Sequence, residues 1–72
     1  LTRDYVDRVL DAVEDGNLNE VRRLVEPLHE ADIADLLELT PSERRGELAI
    51  SLGDLMSAEV LAEVNDYVRE EF

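Results

Sequence analysis

The chain has no cysteine, no tryptophan and no lysine, and only three glycines, two prolines and three aromatic residues among its 72 positions. Without cysteine there is no disulfide framework and no thiolate metal site, so zinc loses its usual ligands and nothing can be read about redox compartment. No five-residue stretch of alternating β-branched or aromatic residues is bounded by turns, so strands are not expected. Apolar runs stop at two or three residues, as in Leu48-Ala49-Ile50, and nothing is long enough to cross a bilayer or act as a signal peptide. Positive charge is scarce as well. Seven arginines face nineteen carboxylates, a formal net charge of −12, and such a surface repels nucleic acid.

What is present is a chain 44% apolar and 36% charged, too hydrophobic for a disordered acidic tail and ordinary for a helical domain. A chain of this length buries only about 60% of the surface it exposes when unfolded, which argues against a deep enzymatic cleft. Residues 1–72 therefore read as a single helical domain. Its start at Leu1 rather than Met, and its end at Phe72 inside a charged, helix-like stretch, suggest a segment of a larger protein.

Leu1, Tyr5, Val6, Val9, Leu10 and Val13 recur at three- and four-residue intervals, which predicts a helix to about Glu14. Asp15-Gly16-Asn17 stops it, and Asn17 with Glu20 three residues on opens a second helix that buries Leu18, Val21, Leu24, Val25 and Leu28. A third helix is expected from Glu30 to Leu39, with His29 at the cap position and Ile33, Leu36, Leu37 and Leu39 apolar. Thr40-Pro41-Ser42-Glu43 has the pattern of a Thr cap, a Pro at the first helical position and a Glu at the third. The fourth helix then runs to Leu52 and ends at Gly53. A fifth, capped by Asp54 or Ser57, carries Val60, Leu61 and Val64, and a sixth starts at Asn65 or Asp66 and continues toward Phe72. About six short helices with brief connections must pack as successive neighbours. A shift of 25 residues superposes Leu36 on Leu61, Glu38 on Glu63, Thr40 on Asn65 and Arg44 on Arg69. The fold expected is all-α, a compact superhelix of the α-solenoid kind.

Few residues carry chemistry. Asp15 to Glu26 sets oxygen-bearing side chains at four positions of a calcium-loop pattern, but Glu20 occupies the position that needs glycine and a helical stripe runs through the rest. Asp4, Asp7, Asp11 and Glu14 form one acidic edge along the first helix, and Glu59, Glu63, Asp66 and Glu70 a second that crosses the break at Asn65. A charge run is usually a solvated face, and Glu59 in the first turn of its helix is favoured by the helix dipole alone. The lone His29 reads as a capping or packing group. No nucleophile stands beside a base and no glycine-rich phosphate loop occurs, so an enzyme is not expected.

The stretch Leu28-His29-Glu30-Ala31-Asp32-Ile33-Ala34-Asp35-Leu36-Leu37, followed by Thr40-Pro41-Ser42-Glu43-Arg44, closely resembles the signature of the cytosolic N-terminal domain of MgtE-type magnesium transporters. There the pattern reads Leu-His-Pro-Ala-Asp-Ile-Ala-Asp-Leu-Leu, then Leu-Pro-Pro-Glu-Glu-Arg. Ala58-Glu59-Val60-Leu61 and Asn65-Asp66-Tyr67-Val68-Arg69 are similar to two further segments of that family. The resemblance spans nearly the whole chain and is strongest from Leu28 to Arg69. Glu30 replaces the family's Pro after His, and Gly53-Asp54-Leu55-Met56-Ser57 replaces its common Pro-rich linker.

The resemblance implies a regulatory domain at the cytoplasmic face of the cell membrane, joined in a homodimeric full protein to CBS domains and a transmembrane pore. It implies that Mg2+ ions, held weakly and shared with the CBS partner, screen facing acidic surfaces when intracellular magnesium is high, so that the domain docks and the pore closes. Only Glu59 transfers from the family's ion-site positions; Glu63 and Asp66 are added as neighbours of it, and Asp32 and Asp35 read as solvated. Membrane contact would run only through the transmembrane region outside this segment. The other expectation, from a different class, is a helical interaction scaffold such as the N-terminal domain of a flagellar motor switch protein.

Overall fold

Among the described residues six α-helices make the architecture: α1 (Arg3–Glu14), α2 (Leu18–Val25), α3 (Glu30–Leu39), α4 (Ser42–Leu52), α5 (Ala58–Glu63) and α6 (Asp66–Arg69), with a 3-10 turn over Gly53–Leu55 between α4 and α5. The computed structural model describes residues 1–70, with Tyr67 described in its backbone alone, and no strand occurs among them. The fold is all-α. The expected continuation of the sixth helix to Phe72 lies outside the described residues.

Local chemistry sets the boundaries. Thr2, Asn17, Ser57 and Asn65 each accept a hydrogen bond from the backbone amide three residues on, and His29 accepts from the amide of Ala31 through Nδ1 at 3.3 Å. Of the two caps considered for the fifth helix Ser57 is used, and Asn65 rather than Asp66 caps the sixth. The α1 terminus closes as a Schellman motif: Gly16, at φ +70°, donates to Val13 O, and Asn17 donates to Ala12 O. Gly53, at φ +55°, ends α4 in the same left-handed region.

Thr40 departs from its expected role. Pro41 occupies the N-cap of α4 and Ser42 begins the helix, so Thr40 stands one residue too early to cap it. It is instead the buried C-cap of α3, and its hydroxyl donates to the Leu36 carbonyl at 2.7 Å. A hydroxyl that bonds the preceding turn satisfies a helix-terminal acceptor and can be enclosed without an unpaired polar atom.

The packing order also departs from the sequence expectation. α1 and α2 form an antiparallel pair, but beyond them the principal neighbour is the element after next: α2 lies against α4 and α3 against α5. The α1–α2 pair thus stacks on α4, and α5 adds to α3, an order in which contacts skip along the chain. The core is aliphatic and continuous through the stack: Val9, Val21, Val25, Leu36, Leu37, Leu48, Leu52 and Val60 are fully enclosed. Of the residues expected to be buried on α2, Leu18 is 54% exposed, at the first position of the helix, and Leu24 and Leu28 are partly buried against the core; Leu39, the last residue of α3, is 58% exposed. The Cα radius of gyration, 10.9 Å, matches the roughly 11 Å of a compact domain of this length.

Tyr5 ties the first pair together. Its hydroxyl donates to the Leu24 carbonyl of α2, and partial burial raises its pKa above the ordinary phenol value. Leu36→Ala should lower the unfolding free energy by about 2–5 kcal/mol, because a cavity opens among residues with no room to collapse. Ile50→Ala, on a solvent-facing side chain, should change it by less than about 0.5 kcal/mol. Urea denaturation followed by circular dichroism measures both; equal losses at the two positions would contradict the packing described.

Candidate functional site

The acidic edge at the C-terminal end is divided between two helices. Glu59 and Glu63 lie four residues apart on α5, hence on one side of it, and Asp66 begins α6 beyond the break at Val64-Asn65. All three are exposed. Glu59, the second residue of α5, and Asp66, the first residue of α6, both lie in a first turn, where the amide dipoles favour a carboxylate.

The charge neighbours separate these groups. Asp66 pairs with Arg69 at 3.3 Å. Among the described residues Glu59 and Glu63 have no Arg partner, so each keeps its full charge toward solvent. Some other carboxylates meet arginine, Asp54 with Arg22 at 2.8 Å, Glu20 with Arg23 and Glu14 with Arg44 at 3.9 Å, whereas Asp4, Asp7, Asp11, Asp32 and Asp35 are, like Glu59 and Glu63, without an Arg partner among the described residues. The α1 edge of Asp4, Asp7, Asp11 and Glu14 is exposed along its length.

As ligands, carboxylate oxygens suit a hard cation such as Mg2+, which takes one or two carboxylates and keeps several waters. Among the described residues, however, no three acidic or imidazole groups converge closely enough to hold an ion together. Glu59 and Glu63 can therefore supply part of a coordination or outer-sphere shell, with the remainder from water or an opposing surface. The calcium-loop pattern is replaced by structure of another kind: α2 runs from Leu18 through Val25 across it. His29 caps α3 and lies 3.4 Å from Glu30, in keeping with a capping role.

Sequence reasoning missed the arginines that close helix ends. Arg45 donates to the Leu37 and Glu38 carbonyls in the last turn of α3, at 2.9 and 3.2 Å. Arg69 donates to the Val64 carbonyl at the end of α5, at 3.0 Å. Both lie on the helix that follows the one they close, although the 25-residue shift aligns Arg69 with Arg44 rather than Arg45. Arg44 itself reaches Leu10 O on α1 at 3.2 Å. The backbone amide of Asn65 donates to the Glu38 carboxylate at 3.1 Å, so Glu38 is held against the start of α6.

No family profile, no curated protein and no solved structure matches the chain. Among the described residues no helix is long and apolar enough to cross a membrane.

The Arg22–Asp54 contact joins α2 to the 3-10 turn and generates a pH dependence. The guanidinium hydrogen bond holds the Asp54 carboxyl below its ordinary range, so the folded chain binds that proton less readily than the unfolded one. The resulting stability is complete above the unfolded value near pH 4 and is lost as pH falls through the lower folded value. Asp54→Asn should thus be less stable than the parent at neutral pH and converge with it in acid. Urea unfolding across a pH series tests this; parallel profiles with no convergence would assign the acid sensitivity to other carboxylates.

Proposed function

We propose that this chain is a cytosolic regulatory domain of the magnesium-transporter type, which senses intracellular Mg2+ by packing its acidic surface against CBS domains. The observation that carries the reading is Glu59, a solvent-facing carboxylate without an arginine partner among the described residues, on the segment Ala58-Glu59-Val60-Leu61 that resembles the family's ion-site segment. The resemblance of Leu28 to Arg45 supports it independently. In that stretch Ile33, Leu36 and Leu37 enter the core while Asp32 and Asp35 stay in solvent, so the motif's apolar residues do structural work and its acids remain available to a partner.

The physics of such a sensor follows from charge. A surface of net charge −12 approaches another carboxylate-rich face only when cations lie between them. Mg2+ that binds the docked arrangement better than the separated one shifts the population toward docking by that difference in affinity. Glu59 and Glu63 would supply this chain's share of the ligands, with Asp66, partly neutralised by Arg69, as a weaker neighbour. The CBS domains would supply the rest. In a homodimeric full protein the domain would lie at the cytoplasmic face of the cell membrane, with no catalytic role.

An amide NMR titration with MgCl2, set against NaCl at matched ionic strength, tests the assignment. Saturable shifts confined to Glu59, Glu63 and Asp66 with MgCl2 alone, abolished by Glu59→Gln, are expected. Diffuse shifts that NaCl reproduces would mean screening only and would favour an interaction scaffold instead.

A further inference from the structure

A second surface stands apart from the α5 carboxylates in its chemistry. A groove of about 320 Å³ lies between the start of α1 and the α3–α4 junction, with Val6 and Leu10 as its floor and Leu1, Leu39 and Pro41 on its walls. Leu39 is 58% exposed and Pro41 is exposed beside it, so two apolar side chains open to solvent on one patch. Isolated exposed apolar residues are normal, as Ile50 and Leu18 are here, but a shared concave patch is the usual form of a binding site. Leu39 is not among the residues that α3 gives to the core, which are Ile33, Ala34, Leu36 and Leu37.

The rim determines what fits. Asp7 flanks the groove on α1, and a shallower depression that shares Leu1 and Leu39 continues past Asp35 and Glu38 on α3. Among the described residues Arg3 is the one cationic side chain lining either depression. An anionic membrane surface, a nucleic acid or a second copy of a chain of net charge −12 would each bring more negative charge to this rim. Among the described residues there is no strand, hence no sheet edge for an extended peptide to join.

We propose that this groove docks a basic amphipathic helix, which seats one or two large apolar side chains between Leu39, Pro41 and the α1 floor and directs Lys or Arg toward Asp7, Asp35 and Glu38. The attraction combines apolar burial in the groove with charge complementarity at its edges, the helix-in-groove mode of recognition. It requires no metal and does not rest on the magnesium-sensing reading.

The probe is a fluorescein-labelled synthetic peptide of about 14 residues, roughly four helical turns, with Leu on one face and Lys on the other. Its control is a scrambled peptide of identical composition whose Leu residues share no face. Anisotropy titrations should show the scrambled peptide binding at least about tenfold more weakly, and Leu39→Asp should weaken binding of the amphipathic peptide by a similar factor. The added negative charge of Leu39→Asp would strengthen a purely electrostatic association, so a loss isolates the apolar contact. Amide shifts with the amphipathic peptide should centre on Val6, Leu10, Leu39 and Thr40, and Asp7→Asn with Asp35→Asn should reduce the salt dependence of binding. These last two measurements stand whether or not Leu39→Asp folds. Equal binding of the scrambled peptide, shifts centred elsewhere, binding to phosphatidylglycerol vesicles through the same residues, or a dimer in sedimentation that Leu39→Asp dissociates would each overturn the proposal.

Discussion

An aliphatic seam runs through the stack of helices and must outweigh the mutual repulsion of nineteen carboxylates on 72 residues. The large side chains that are fully enclosed are leucines and valines, and the polar group among them is the Thr40 hydroxyl, already bonded to Leu36. With little aromatic area to bury, the chain gains its stabilisation from many modest aliphatic contacts, each about 1.5–3 kcal/mol for full burial of a side chain. The pairing of α2 with α4 and of α3 with α5 keeps those contacts continuous from one pair of helices to the next. Every other feature presupposes that stack: the caps only define where each helix begins, and the ion pairs lie on its surface.

Arginine is used economically on that surface. Arg45 and Arg69 place positive charge on carbonyls at helix C-termini, where the backbone dipole is negative, and Arg44 ties α4 to α1 through Leu10 O. Arg22, Arg23 and Arg44 each meet a carboxylate as well. The guanidinium serves both tasks because its donors are forked and its charge is permanent. The consequence is uneven neutralisation. The α2 surface and the 3-10 turn carry paired charges, whereas Asp4, Asp7 and Asp11 on α1, Asp32 and Asp35 on α3, and Glu59 and Glu63 on α5 have no Arg partner among the described residues.

Much of the fold was legible because the signals are short-range. Asn17, His29, Ser57 and Asn65 cap helices as their side chains and spacing indicate, and Gly16 and Gly53 end helices where a left-handed residue is needed. Thr40 was misassigned because Thr-Pro-Ser-Glu satisfies two local patterns at once; whether Thr caps the next helix or closes the preceding one depends on which carbonyl it meets. Periodicity puts Leu18 on the buried face of α2, but a period gives the face of a helix and not how completely each end of it is covered. Of the candidate site, the acidic edge and its break at Asn65 were readable from spacing, whereas the pairing of Asp66 and the lack of an Arg partner at Glu59 and Glu63 were not.

By itself the sequence determined the all-α class, the helix boundaries, the acidic surface and the identity of most buried residues, since each follows from propensities and periods acting over a few neighbouring residues. The tertiary structure decided the order of packing, with α2 meeting α4 and α3 meeting α5, together with the arginine contacts across five to thirty-four residues and the groove that leaves Leu39 in solvent. Those depend on how helices of unequal length stack once their apolar faces meet, a geometric outcome of the assembled whole that no local pattern encodes.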